Sequence, residues 1–426
     1  MAQAGEQSVI QSMSQARTQL ARRLRQIPQL LRTEGLTAVS DRIRRVAAQR
    51  LVPTRVISPV RRADILAIDL SRPFQYSIPP SDPGQPLTAN WVITPPARGS
   101  GGHTTLFRMV RYLEAHGYRN RIYFYDPYGG DHFYYESIVR DYYHFDGPVA
   151  SVDQGMEDAH IVFATSWPTA YPVFNSHCAG KRFYFVQDFE PFFYPVGSTS
   201  SLAENTYRMG FHGIGIGNCF AEKLTNEFGM TVDTFNYGCD ISQYHRFPDS
   251  PRSGIVFYAR RDNARRGLEL GLMALELFAA RNPEIEIHIY GDTIGKQPFS
   301  FTDHGRLTPD QLNLLYNRCY AGLSLSFTNV SLVALEMLAA GCIPVVNDTP
   351  QVRTDLNNPF VAYALPYPQA LSAQLEAVVA TQDFDFLSSA AAASVHATTW
   401  EEAGAEVDRI LRRTFPKATK SIHQPS

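Results

Sequence analysis

Two arginines that stand six residues apart carry the first chemical signal in this sequence. Arg260 ends the apolar run 254–260, and Arg266 stands beside Gly267 at the start of a predicted helix. Guanidinium groups bind phosphate oxygens through paired hydrogen bonds, and the first N–H groups of a helix attract anions. The spacing therefore predicts an anion site at residues 260–267, with a solvated basic turn as the alternative.

A polar loop at residues 328–331 precedes a second predicted helix and offers further unpaired N–H groups. Glu336 falls in the first or second turn of that helix, where a carboxylate can accept hydrogen bonds from paired sugar hydroxyls. The alternative role for Glu336 is a favourable charge near the helix N-terminus, worth about 0.3–1 kcal/mol.

Three residues of the N-terminal half carry groups that can act on a substrate hydroxyl. Asp188 and Glu190 follow an apolar run and are candidates for orienting a hydroxyl or taking its proton, unless they belong to a hydrogen-bonded surface loop. His103 follows the glycine-rich segment 99–102 and is either a group that stabilises charge there or a structural histidine.

Two successive α/β patterns position these residues. Strands and helices alternate in both halves, and the polar residues follow the apolar runs, as they do where parallel strands end at a ligand crevice. The predicted strands are 91–94, 121–126, 160–166, 181–188, 213–218, 254–260, 286–292, 321–326 and 343–346. We therefore predict an α/β fold with two Rossmann-like domains facing a central cleft. The predicted parts are an extension at 1–60, domains at 61–245 and 246–398, and a crossover helix with a tail at 399–426.

The N-terminal extension is basic and predicted to be helical. Residues 1–62 hold 12 arginines against three acidic residues, a net charge of +9, whereas the whole chain carries −2. Such a helix can lie on an anionic membrane surface, pack on its own domain, or pack on another subunit in a homodimer. The overall charge gives no reason to expect a nucleic-acid partner.

Several other classes are excluded by missing patterns. Five scattered cysteines without a CxxC pair predict neither disulfides nor a zinc site, which favours a reduced, cytoplasmic protein. We expect no signal peptide, no membrane-spanning helix and no required metal or cofactor. The string Asp383-Phe384-Asp385 lies far from any phosphate loop and is predicted to lie at the surface. Serine-hydrolase and P-loop motifs do not occur.

Together, these motifs resemble a known family. An arginine at a strand end, a basic residue with glycine six and seven positions later, and the pattern LExxAAGxxPVV are similar to the donor-binding domain of GT-B glycosyltransferases of family 4. Segments 164–173, 181–195 and 237–247 resemble the WsaF-type rhamnosyltransferases, which build rhamnose-containing bacterial glycans from dTDP-L-rhamnose. The resemblance covers about residues 60–415.

The resemblance implies a role for each matched position. Arg260 and Arg266 would bind the donor diphosphate, and Glu336 would hold the nucleoside ribose. Thr328 stands where the family commonly has a second acid, which usually contacts hydroxyls of the donor sugar. The other donor-binding positions that it implies are Gly101, Gly102, Gly291, Asp292, the segment His304-Gly305-Arg306-Leu307, Asn329, Val330, Ser331 and Leu332.

The function that follows is transfer of L-rhamnose from dTDP-L-rhamnose to a lipid-linked glycan acceptor in bacterial surface polysaccharide biosynthesis, and we expect a cytoplasmic protein that is peripheral at the inner face of the plasma membrane. The family retains the anomeric configuration, so we expect a retaining enzyme with Asp188, Glu190 or His103 near the reacting groups. The alternatives are a hexosyltransferase that uses a UDP- or GDP-sugar, a nucleotide-sugar 2-epimerase, and a non-catalytic protein that binds sugar nucleotides or glycans.

Overall fold

The computed structural model describes residues 58–71, 75–79 and 85–415, together with Ser40, Arg44 and Ala47. The predicted apolar face of the N-terminal helix, with its proposed membrane contact, lies within residues 1–39 and so outside the described residues. The tail at 416–426 also lies outside them.

Seven parallel strands form the first sheet, in the order β3-β2-β1-β4-β5-β6-β7. The order reverses between β1 and β4, which is where an open α/β sheet provides a crevice for ligands. The strands are β1 (Thr88–Ile93), β2 (Arg119–Phe124), β3 (Val149–Ser151), β4 (Ile161–Ala164), β5 (Lys181–Val186), β6 (His212–Ile216) and β7 (Val232–Phe235).

Six parallel strands form the second sheet, in the order β10-β9-β8-β11-β12-β13. Here the order reverses between β8 and β11, which pair directly. The strands are β8 (Gly254–Ala259), β9 (Glu286–Gly291), β10 (Thr302–Asp303), β11 (Cys319–Leu323), β12 (Ile343–Asn347) and β13 (Ala362–Ala364).

Thirteen α-helices in the described part of the chain connect and cover the strands. Those of the first half are α1 (Arg62–Leu66), α2 (Gly101–Ala115), α3 (His132–Asp141), α4 (Trp167–Asn175), α5 (Ser198–Asn205) and α6 (Cys219–Phe228). Those of the second half are α7 (Leu268–Arg281), α8 (Pro309–Arg318), α9 (Leu332–Ala339), α10 (Pro350–Leu356), α11 (Pro368–Val379), α12 (Phe384–Ala393) and α13 (Trp400–Thr414).

Large apolar side chains on the central strands form the core. Trp91, Phe163 and Phe257 have no exposed surface, as expected of parallel strands that are covered on both faces. The Trp91 ring stacks on Phe163 with centroids 3.9 Å apart, and its Nε1–H donates to Asn120 at 2.9 Å. Such packing gives the loops at the strand ends a firm base.

The predicted α/β fold with two Rossmann-like sheets is confirmed, whereas the proposed domain boundaries stay predictions. The last helix, α13, packs on α2 of the first half: a Cβ at Gly404 would lie 2.3 Å from the Tyr112 ring, and Arg412 donates to the His116 carbonyl at 3.0 Å. All five cysteines are free thiols. Among the described residues, no helix combines the length and apolarity needed to cross a bilayer.

Candidate functional site

The two loops predicted to bind anions lie side by side. One follows β8 and the other follows β11, the strands that flank the reversal point of the second sheet. Arg266 Nη1 donates to Ser326 Oγ at 2.9 Å, and the N–H of Phe327 donates to the carbonyl of Arg265 at 3.0 Å. The second loop ends at Ser331, the residue before α9.

Gly267 lets these loops approach each other. Its φ of +59° is left-handed, and a Cβ there would lie 2.8 Å from the Phe327 ring and 3.0 Å from the Leu325 side chain. Only glycine adopts this conformation at little cost, so the backbone turns from Arg266 directly into α7.

Arg260 stands at the end of β8 beside Asp292. Its Nη1 donates to the Tyr258 hydroxyl at 3.1 Å, and its Nε lies 3.3 Å from Asp292 Oδ2. Asp292 also accepts the Arg261 N–H at 3.0 Å, and the exposed Arg306 guanidinium lies 3.9 Å from it. Asp292 therefore contacts three arginines at this edge of the sheet.

The segment predicted to surround the base lies beside the end of β9. Gly291 donates its N–H to the Gly305 carbonyl at 2.8 Å and has a left-handed φ of +108°. A Cβ at Gly291 would lie 2.3 Å from the Ala259 carbonyl oxygen. This close approach keeps His304 to Leu307 next to the loop that carries Arg260.

Burial has a larger effect on the pKa of Arg266 than on that of Arg260. Removal from water lowers the pKa of Arg266 to about 10, whereas Tyr258 and Asp292 raise that of Arg260 despite partial burial. Both groups remain cationic at neutral pH. The site thus presents two positive charges, one of which has a neutral partner, Ser326.

Asp188 reaches from the first sheet into these loops. Its carboxylate pairs with the Arg265 guanidinium and accepts the Thr328 hydroxyl at 2.8 Å. Burial raises the pKa of Asp188, and the Arg265 charge opposes that rise. Arg265 also lies over the Phe193 ring, 4.3 Å from its centroid. The sequence pattern singles out Asp188 and Thr328 but not Arg265, because the stretch around Arg265 is uniformly rich in arginine.

A second series of hydrogen bonds joins the two halves of the chain. Asn329 Nδ2 donates to the Gln187 carbonyl at 3.2 Å, and Gln187 Nε2 donates to the Gly102 carbonyl at 3.1 Å. Gly101 and Gly102 open α2, so the predicted glycine loop of the first sheet is linked to the loop before α9. Val330, next to Asn329, is buried and anchors that loop.

Glu190 does not contact the loops that Asp188 contacts. Its Oε2 accepts the N–H of Trp167 at the first residue of α4 at 2.8 Å, and it is 6% exposed. Burial raises the pKa of Glu190 to about 8. Of the two acids that the sequence singled out, only Asp188 contacts the loops of the second sheet.

His103 occupies the first turn of α2. Its Nδ1 lies 2.9 Å from Ser100 Oγ, and its Nε2 lies 3.3 Å from the Thr94 carbonyl oxygen. Burial lowers the pKa of His103 to about 4, so the ring is neutral at physiological pH. In this state His103 can act through hydrogen bonds but not as a positive charge.

Glu336 lies in the second turn of α9 and faces groups of the first half and the connecting segment. Burial raises its pKa to about 7, while Arg108 lowers it and Asp240 raises it further. Arg108 pairs with Asp240 and lies 4.4 Å from the Trp400 ring centroid. The sequence pattern singles out Glu336 but not Arg108, Asp240 or Trp400, because these residues come from separate elements.

Two parallel Rossmann-like sheets, with the loops of one contacting the loops of the other, define the GT-B architecture of glycosyltransferases. A family model described as WsaF, C-terminal domain matches residues 253–376, which contain β8 to most of α11. The match spans Arg260, Arg266 and Glu336.

One curated relative is the O-antigen biosynthesis protein RfbC of Myxococcus xanthus, 36% identical over 264 residues. The match covers 59% of this chain but 20% of RfbC, so the chain spans about a fifth of that relative's length.

Solved structures share the fold at low identity. HepE of Anabaena, in complex with UDP and glucose, is 12% identical over 77% of this chain and 100% of its own, with a TM-score of 0.59. A TarM mutant of S. aureus, in complex with fondaparinux, α-GlcNAc-glycerol and UDP, is 9% identical over 76% and 99%, with a TM-score of 0.61.

Proposed function

We propose that this chain is a glycosyltransferase that moves a sugar from a nucleoside diphosphate to a glycan acceptor in O-antigen or related polysaccharide biosynthesis. The observation that carries the proposal is the contact between the loop of Arg266 and the loop that leads into α9: Arg266 donates to Ser326, and the Phe327 N–H donates to the Arg265 carbonyl. A partly buried cation thus lies against a segment that ends at a helix N-terminus. The relation to RfbC supports the pathway.

The chemistry follows from where charge develops. When the bond between the sugar and the diphosphate breaks, negative charge grows on the departing phosphate oxygen. In this proposal Arg260, Arg266 and the α9 N–H groups bind that charge, and fixed donors of this kind lower the barrier because they need no reorganisation. The donor-binding roles of Glu336 and of the loop 328–332 belong to the same proposal.

We further propose dTDP-L-rhamnose as the donor, a lipid-linked glycan as the acceptor, and retention of the anomeric configuration. The donor assignment rests on the resemblance of segments 164–173, 181–195 and 237–247 to WsaF-type rhamnosyltransferases, and the WsaF C-terminal domain match adds to that resemblance. Thr328 offers a hydroxyl at a position next to Asp188 and Arg265 rather than a charge of its own. Contact of the basic N-terminal extension with a membrane, or with a second copy of the chain, is part of this proposal.

The test is binding followed by turnover. Thermal shift with dTDP, UDP and GDP should show stabilisation by dTDP above that by the other two, and dTDP-L-rhamnose should then be consumed only when a rhamnosylated acceptor is present. A larger shift with UDP or GDP would replace the proposed donor. Release of free epimerised sugar without an acceptor, or binding without any turnover, would contradict the transferase proposal.

A further inference from the structure

Two phenylalanine rings at the edge of the proposed donor site are exposed to water. Phe192 and Phe193 end the short 3₁₀ helix Glu190–Phe193 that follows β5, and they are 48% and 40% exposed. Val196, in the same loop, is fully exposed. Large apolar side chains that lie together at a surface mark binding sites more often than those scattered singly. The function proposed so far gives this loop no role.

The loop that carries the two rings is fixed at both ends. Before them, Phe189 is buried and stacks on the Tyr207 ring with centroids 5.4 Å apart, and Glu190 accepts the Trp167 N–H at 2.8 Å. After them, the Tyr194 hydroxyl accepts the indole N–H of Trp167 at 3.1 Å. The rings are therefore held in place before any ligand arrives, which lowers the entropy cost of binding.

Phe193 also contacts the loop that carries the proposed diphosphate-binding arginine. The Arg265 guanidinium carbon lies 4.3 Å from the centroid of the Phe193 ring, and the guanidinium pairs with Asp188. Arg266 is the next residue along the chain. Phe192 packs edge-on against Phe189, with centroids 4.7 Å apart. The two rings thus belong to the first half of the chain but border the donor site of the second half, where the other substrate has to bind.

The charges of this loop indicate the chemistry of the ligand. Residues 191–203 include no charged side chain, and the cation next to Phe193, Arg265, is already paired with Asp188. Phosphate groups and anionic membrane surfaces are bound by lysine and arginine, so this loop suits neither. A pyranose ring, by contrast, is neutral and has a face of C–H groups that packs on an aromatic ring while its hydroxyls remain in water.

We propose that Phe192 and Phe193 form a stacking subsite for a neutral sugar ring of the glycan acceptor. The inference rests on the proposed function, since it takes the ligand beside the donor site to be the acceptor. It deepens that function, because it assigns the acceptor a place on the first half of the chain. The contact between Phe193 and Arg265 keeps this place next to the proposed donor site.

The experiment compares Phe192→Leu and Phe193→Leu, which remove a ring, with Phe193→Tyr, which keeps one. Phe386→Leu is the matched control, because Phe386 is 70% exposed on α12 of the second half. Calorimetric titration of the full chain uses two soluble trisaccharides without lipid, one of α-linked L-rhamnose and one of D-glucose. Each is titrated with and without whichever of dTDP, UDP and GDP binds the wild type most tightly.

For the two leucine variants of the loop we expect the Kd of the better-bound trisaccharide to rise about three- to tenfold, the value of one aromatic contact. Phe193→Tyr and Phe386→Leu should bind it like the wild type. The Kd for the nucleoside diphosphate should change less than about twofold in every variant. Melting temperatures should stay within about 2 °C of the wild type, because the substituted rings are exposed.

Several results would overturn the subsite but not the proposed function. They are a wild type that binds the nucleoside diphosphate but neither trisaccharide, and an unchanged trisaccharide Kd in both leucine variants of the loop. A parallel loss of nucleoside diphosphate affinity, or an equal loss of trisaccharide affinity in Phe193→Tyr, would show that the rings only support the loop.

Vesicle flotation tests a lipid surface as the occupant of the rings. If wild type but not the leucine variants floated with vesicles of phosphatidylcholine and phosphatidylglycerol, while trisaccharide affinity stayed equal, the rings would be assigned to a membrane and the subsite would be refuted. A wild type that binds no nucleoside diphosphate would refute the proposed function itself, and the trisaccharide titrations would still decide whether the rings bind a sugar.

Discussion

Arg266 and Arg260 carry the same charge in different surroundings. Arg260 is 40% exposed and lies beside the Asp292 carboxylate, whereas Arg266 is less accessible and donates to the neutral Ser326. A cation that has lost part of its hydration and donates to a neutral hydroxyl gains more from an anionic ligand than an exposed cation that is paired with a carboxylate. Arg266 should therefore contribute more to diphosphate binding.

Replacement of Arg266 tests this difference. We expect Arg266→Ala to weaken binding of the nucleoside diphosphate by about 10–100-fold and to reduce turnover at least as much, because one charge-assisted contact is worth about 1.5–3 kcal/mol. The free energy of unfolding should change by about 1 kcal/mol or less, the value of the bond to Ser326. Titration calorimetry and denaturant unfolding measure the two quantities.

Arg261→Ala is the matched control, because the Arg261 guanidinium lies in the same loop but contacts the Thr293 carbonyl at 3.4 Å. Near-normal diphosphate affinity and turnover in Arg266→Ala, or equal losses in both variants, would contradict the assignment.

The proposed role of Glu336 in donor binding predicts that ligand affinity depends on pH. The folded protein holds its pKa at about 7, so the carboxylate form, which accepts hydrogen bonds from hydroxyls at both oxygens, dominates only above neutrality. Affinity for the nucleoside diphosphate should rise about three- to tenfold from pH 6 to pH 8.

Glu336→Gln cannot ionise, so this part of the pH dependence should vanish, while titration of the ligand's own phosphate affects both proteins alike. Calorimetric titration at pH 6, 7 and 8 provides the comparison, and parallel pH profiles of the two proteins would exclude Glu336 from the site.

Local sequence could identify some of these residues but not others. Arg260, Arg266 and Glu336 stand at fixed distances from a strand end or a helix start, so position along the chain sufficed to single them out. Arg265 contacts Asp188, 77 residues away, and the two meet only after both sheets have formed. Such pairings depend on how loops of different sheets meet, which no local pattern encodes.

At the scale of elements, the first N–H group of helix α4 donates to a buried carboxyl group that is protonated at neutral pH. Glu190 accepts the Trp167 N–H in a buried position, and its pKa rises from 4.5 to about 8. Between these values the folded state holds a proton that the unfolded state has released. The free energy of unfolding therefore falls as the pH rises from 4.5 to 8. Above pH 8 this group causes no further change in it.

Glu190→Gln removes this ionisation while keeping an oxygen that can cap α4. We expect the wild type to lose roughly 1–4 kcal/mol of stability more than the variant does between pH 5 and pH 8, since one pKa unit corresponds to about 1.4 kcal/mol. Denaturant unfolding at the two pH values measures it. Equal losses in the two proteins would show that Glu190 does not titrate in this range.

The predicted elements agree with the structure where apolar runs are long. The prediction of a strand at 254–260 corresponds to Gly254–Ala259, and the prediction at 181–188 is two residues too long because Gln187 and Asp188 leave the strand to contact other loops. Four short strands were missed: Val149–Ser151, Val232–Phe235, Thr302–Asp303 and Ala362–Ala364. Two to four residues carry too little periodicity to be recognised, and it is pairing with a neighbouring strand that makes them extended.

At the scale of the whole molecule, each half contributes an acidic side chain that binds groups of the other half. Asp188 of the first half pairs with Arg265 of the second, and Asp355 of α10 accepts two N–H groups at the start of α6. Gly217 leaves room for the second contact, since a Cβ there would lie 2.5 Å from the Asp355 carboxylate. The same loops that are proposed to bind the donor thus also hold the halves together.

Amide hydrogen exchange tests this coupling. In Asp355→Ala the N–H groups of Asn218 and Cys219 lose their acceptor, so we expect them to exchange about tenfold faster than in the wild type. Asp355→Asn keeps one acceptor oxygen and should retain part of the protection, and helix α5, which does not contact Asp355, should exchange equally in all three proteins. Unchanged exchange at Asn218 and Cys219 in Asp355→Ala would mean that the halves stay joined without this carboxylate, through other contacts such as those of Asp188 and Asn329.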